Sequence, residues 1–92
     1  MIKEIKGIKV TFEKKNKEAF VTINLKEGLK DDAVTEAVRD LRHIGYDSNE
    51  ATFDWGDTHI TVYENNPNAV EDIIKHLIEA LPGSLESAHY GC

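Results

Sequence analysis

The chain has 92 residues, enough for one domain with a single two-layer core, and 40% of them are hydrophobic, as in a folded globular protein. Its net charge of −6 is unevenly distributed: residues 1–30 hold eight lysines against four glutamates, and residues 31–92 hold three basic against thirteen acidic residues. That balance argues against direct nucleic-acid binding, which needs cations to displace phosphate counterions, and no apolar run is long enough to span a bilayer.

Met1 leads directly into alternating sequence with no apolar signal region, so the expected location is cytoplasmic, away from membranes. Ile8, Val10 and Phe12 alternate with Lys9, Thr11 and Glu13, and Ala19, Val21, Ile23 and Leu25 answer them at the same period of two. A two-residue turn at Lys15-Asn16 would place Phe12 opposite Ala19, Val10 opposite Val21 and Ile8 opposite Ile23, so that every inward residue meets another. Lys26-Glu27-Gly28 ends that hairpin, and Asp31 or Asp32 supplies a helix cap. Val34, Ala37, Val38, Leu41 and Ile44 then recur at helical spacing, with Arg39, Arg42 and His43 in the last turns and Gly45 as the left-handed stop.

The second half repeats the plan. A two-residue turn at Trp55-Gly56 pairs Phe53 with Thr58 and Ala51 with Ile60. Asn66-Pro67 marks a helix start, followed by the apolar stripe Val70, Ile73, Ile74, Leu77, Ile78 and Leu81 and the stop Pro82-Gly83. The expected fold is therefore α+β, with two ββα units (residues 1–45 and 46–83) forming a four-stranded antiparallel sheet and two helices on one face. Residues 84–92 lack periodicity, and Gly83-Ser84-Leu85-Glu86 resembles a cloning junction, so this stretch reads as a flexible tail outside the 1–83 domain.

Four strands carry the same apolar-threonine-apolar triplet, centred on Thr11, Thr22, Thr52 and Thr61. Alternation puts these threonines on the face opposite the core, together with Phe20 and Tyr63. Threonine suits wet strands without any further role. If the face binds a partner, Thr11, Thr22, Thr52 and Thr61 would frame it, with Phe20 and Tyr63 as anchors. In the second hairpin, Asp54 and Asp57 would face each other beside the turn, with His59 diagonal to Asp54. Two carboxylates and an imidazole can hold Zn²⁺ or Mn²⁺, although aspartates also flank tight turns on conformational grounds alone.

There is no glycine-rich phosphate loop, paired-cysteine motif or glycine-flanked serine, and the single cysteine, Cys92, has no intramolecular partner. The expected function is non-enzymatic and cofactor-free: a small acidic module that binds another protein in the manner of an inhibitor or adaptor. Exposed edge strands leave room for a homodimer. An artificial sequence, chosen to fold and with no biological task, is the alternative that the regular alternation suggests. A metal-dependent hydrolase at Asp54, Asp57 and His59 is the remote one.

Overall fold

The computed structural model describes residues 1–13, 20–26, 31–46, 49–53, 58–64 and 66–91. Eight elements follow in chain order: β1 (Ile2–Ile5), β2 (Ile8–Phe12), β3 (Phe20–Leu25), α1 (Asp31–His43), β4 (Asn49–Phe53), β5 (Thr58–Tyr63), α2 (Ala69–Ala80) and β6 (Leu85–Gly91). The class is α+β, as the periodicities require. The sheet is larger than expected, however: among the described residues it has six strands in the order β1-β2-β6-β3-β5-β4. It is also mixed, because β2 and β6 are parallel while the other neighbours are antiparallel.

Two departures from the expected four-stranded sheet have local causes. The first is a hairpin inside residues 2–12. Ile5 pairs with Ile8, leaving Lys6 and Gly7 as a two-residue turn, and their φ values of 51° and 83° are both positive. That combination matches the right-handed twist of the flanking strands. Gly7 adopts it freely, whereas Lys6 gives no sequence signal for it.

The second departure concerns the expected tail. Residues 85–91 are a strand, and β6 lies between β2 and β3. Val10 and Ile23 therefore do not face residues of each other's strand; both pair with Ala88 of β6. This overturns the hairpin register that set Val10 opposite Val21 and Ile8 opposite Ile23. It also overturns the repeat of two ββα units, since β2 and β3 are not neighbours. The Lys15-Asn16 turn and Ala19 lie outside the described residues. From β3 onward, the chain follows a β-α-β-β-α-β connectivity of the ferredoxin-like kind, and the β1–β2 hairpin extends that sheet on the β6 side.

A register irregularity against β3, between Asn24 and Leu25, explains why β6 shows no alternation at its start. Leu85 pairs with Leu25 and is buried, Glu86 is exposed, and Ala88 and Tyr90 are buried in turn. The apolar residues thus switch from odd to even positions at the irregularity, as a bulge allows. The far end of β6 is equally constrained. Gly91 has φ 151° and is buried, and a Cβ there would overlap the carbonyl of Glu13. Glu13 N–H in turn donates to the Tyr90 carbonyl at 2.7 Å.

The remaining elements follow the sequence closely. In the second hairpin Phe53 pairs with Thr58 and Ala51 with Ile60, the register that alternation gives; the expected Trp55-Gly56 turn lies outside the described residues, as do Asp54 and Asp57. Helix α1 buries Val34, Ala37, Val38 and Leu41, and α2 buries Val70, Ile73, Ile74 and Leu77. Gly45, at φ 105°, follows α1 as expected. Ile44 does not continue the α1 stripe inward; it is 46% exposed. Asn66 forms the turn ahead of α2 rather than its cap: it accepts the Asn68 N–H on its side chain at 3.0 Å and the Ala69 N–H on its carbonyl at 3.0 Å. The cap position falls on Asn68, which makes no side-chain cap bond. The helices pack with Val10, Val21, Ile23, Ile60, Val62, Ala88 and Tyr90 of the sheet into one core. Among the described residues no helix is long and apolar enough to cross a membrane.

The Tyr90 ring is 1% exposed and stands 5.8 Å from the Phe12 ring, so β6 is a structural member of the core. Tyr90→Ala is expected to cost about 3–5 kcal/mol in urea unfolding, the range for deleting a buried aromatic. Gly91→Ala is expected to cost about 1–3 kcal/mol through its disfavoured φ, with more from the overlap at Glu13. Losses for both variants no larger than that of Lys9→Ala, on the exposed side of β2, would contradict the placement of β6.

Candidate functional site

Strand pairing assembles the open face of the sheet in rows. Thr11 pairs with His89, His89 with Thr22, and Thr22 with Thr61, so these four residues cross β2, β6, β3 and β5 in one line. The adjacent line runs Lys9, Ser87, Asn24, His59 and Thr52. Their chain neighbours Val10, Ala88, Ile23 and Ile60 are buried in the core, which places both lines on the face away from the helices.

Phe20 and Tyr63 form the third part of this surface. They are cross-strand partners with ring centroids 6.1 Å apart and planes inclined at 59°, an arrangement favoured by the ring quadrupoles. Tyr63 is 51% exposed, and Phe20 is half-buried. Of the residues expected on a binding face, Thr11, Thr22, Thr61, Phe20 and Tyr63 therefore share one surface. Thr52 falls on the same face by register, opposite His59; its side chain lies outside the described residues.

The strand that the sequence hid contributes the centre of that surface. His89 Nε2 lies 3.5 Å from Glu13 Oε2, and Asn24 Nδ2 donates to Ser87 Oγ at 3.1 Å. The polar-apolar alternation Ser87-Ala88-His89-Tyr90 was the available signal, masked by the parity switch at Glu86. The result is a polar surface of hydroxyls, amides and imidazoles, closed at one end by an aromatic pair.

The metal-site expectation centres on residues mostly beyond description. Asp54 and Asp57 lie outside the described residues. His59 lies in β5 with Asn24 and Thr52 as its cross-strand partners. Among the described residues no group of three His, Cys, Asp or Glu side chains could hold a metal ion.

On the helix side, a second set of polar side chains ties the turn after α1 to α2. Tyr46 donates its hydroxyl to Asp72 Oδ2 at 2.6 Å. Asp72 Oδ1 also lies 3.6 Å from His76 Nε2, and Lys75 pairs with Glu71 at 3.4 Å. Burial, then the hydrogen bond to the Asp72 carboxylate, pushes the Tyr46 hydroxyl up from 10.0 to about 12.

Comparison of the chain with protein-family models, with curated proteins and with solved structures finds no match. The functional reading therefore rests on the surface itself.

The Tyr46 hydroxyl binds its proton more tightly in the folded state than in the unfolded one. Its stabilising contribution is complete below about pH 10 and is lost as pH rises through about 12. An absorbance titration of the phenolates is expected to lose one tyrosine's worth of ionisation near pH 12 in Tyr46→Phe. High-pH ionisation unaffected by that substitution would contradict the Tyr46–Asp72 bond.

Proposed function

We propose that the protein is a non-enzymatic binding module that engages another protein through the open face of the sheet. The observation that carries this reading is the Phe20–Tyr63 pair, half-buried and exposed respectively, beside the Thr11–His89–Thr22–Thr61 row. Aromatic residues give large contact area at low entropic cost and dominate interface energetics where they are central. The surrounding hydroxyls and the Asn24–Ser87 amide–hydroxyl pair offer donors and acceptors without dense charge. A face of this composition suits the mixed polar and apolar surface of a protein partner. A phosphate backbone would call for a band of lysine and arginine, and the acidic balance of the chain runs the other way.

In this role Phe20 and Tyr63 are the anchors. Thr11, Thr22 and Thr61 set the hydrogen-bonding pattern around them, and the helices hold the sheet rigid from behind. The Glu13–His89 pair adds a carboxylate–imidazole contact beside the threonine row.

Affinity capture with the immobilised protein tests the reading when the bound fraction is compared across variants. A partner retained by the wild type and by the helix-surface control Arg39→Ala is expected to be lost from Tyr63→Ala and from Thr22→Lys. Truncating an anchor of this kind costs about 2 kcal/mol or more in binding, a thirtyfold effect, while the loss of the Phe20 contact is expected to cost folding only about 1 kcal/mol. Equal retention by all four proteins would overturn the proposal.

A further inference from the structure

We infer that the groove between α1 and α2 is a second docking site, one that takes a cationic, amphipathic segment of a partner protein. It is independent of the sheet face, lying on the opposite side of the molecule. The groove has a volume of about 260 Å³, room for one or two long side chains. Ala37 and Leu41 form its buried floor, Ile44 stands on its rim, and Asp40, Glu79 and His76 supply its polar wall.

Two features set the chemistry of the occupant. Ile44 is among the few large apolar side chains left exposed, and it is positioned over an apolar floor, so part of the occupant must be apolar. The charge of the wall is negative. Neither Asp40 nor Glu79 has an ion-pair partner among the described residues, whereas the nearby Lys75 is engaged by Glu71. A lysine or arginine lying along the groove would meet both carboxylates.

The helix dipole points the same way. The C-terminal turn of a helix favours cations, and α1 has Arg42 and His43 there. The last turn of α2 has no basic residue and carries Glu79 instead. Lys6 and Lys75 line an adjoining hollow with Glu79, yet among the described residues neither is ion-paired with it, so the Glu79 carboxylate at the groove wall is left for a cation from outside to complement. The acidic excess of residues 31–92 would steer such a segment toward the helices.

The test uses the whole protein, labelled with ¹⁵N, and a synthetic amphipathic helix of leucine and lysine as probe. Saturable shifts are expected at the amides of Ala37, Asp40, Ile44, Glu79 and Ala80, weakening with added salt. Glu79→Lys and Ile44→Ser are each expected to weaken binding about tenfold. Glu79 is exposed, and the dipole gain of a lysine there is offset by Lys6 and Lys75 nearby, so Glu79→Lys should leave the unfolding midpoint nearly unchanged; loss of binding then cannot be loss of fold. A probe with glutamate in place of lysine should not bind. The inference is overturned if the shifts map to Phe20 and Tyr63, if none saturates, if Glu79→Lys binds as well as the wild type, or if a serine-lysine probe binds equally well, which would reduce the effect to bulk charge.

Discussion

The strand β6 (Leu85–Gly91) is flanked on both sides: Ser87, Ala88, His89 and Tyr90 pair in parallel with β2 and antiparallel with β3. Without β6 the β1–β2 hairpin has no neighbour, and β3 loses one of the two strands that flank it. The fit at the end of β6 is tight. Glu13 N–H bonds the Tyr90 carbonyl, and the Glu13 carbonyl lies where any side chain at residue 91 would have to stand. Only glycine meets that demand together with a φ of 151°. A parallel pair also needs a long crossover rather than a tight turn. The chain between β2 and β6 supplies it, through β3, both helices and the β4–β5 hairpin.

The same insertion determines what the open face offers. Threonine alone on this face needs no explanation beyond strand propensity on a wet surface. Placing His89 between Thr11 and Thr22, and Ser87 beside Asn24, turns separate threonines into a continuous polar surface across four strands. On the other side, Tyr90 and Ala88 complete the core against which α1 and α2 pack. One strand thus serves both layers, and the helix-side groove and the sheet-side surface belong to one rigid frame.

Much of this was legible in the residues, for identifiable reasons. Val70, Ile73, Ile74 and Leu77 recur at helical spacing and are buried as that spacing requires, and the Ala51–Ile60 register follows from alternation on both strands. The face shared by Thr11, Thr22, Thr61, Phe20 and Tyr63 was legible for the same reason: period-two sequence assigns faces whatever the strand order. Strand order itself leaves no such trace. The matching alternation at residues 8–12 and 19–25 is what two strands show when they face a common core, and it holds equally when a third lies between them. Two local features hid the rest. Lys6 occupies a positive-φ position normally marked by asparagine or glycine, and the irregularity at Glu86 moves the apolar residues of β6 from odd to even positions. The small size of Ser87, Ala88 and Gly91 completed the resemblance to a tail.

Native-state hydrogen exchange of β6 tests this arrangement most directly. As an interior strand bonded on both sides, β6 should exchange the amides of Ser87, Ala88, His89 and Tyr90 only through global unfolding. Their opening free energies should equal that of the β3 amides and fall with urea at the same slope. Exchange of these four amides at the rate of an unstructured peptide, with β3 still protected, would contradict a sheet built around its last strand.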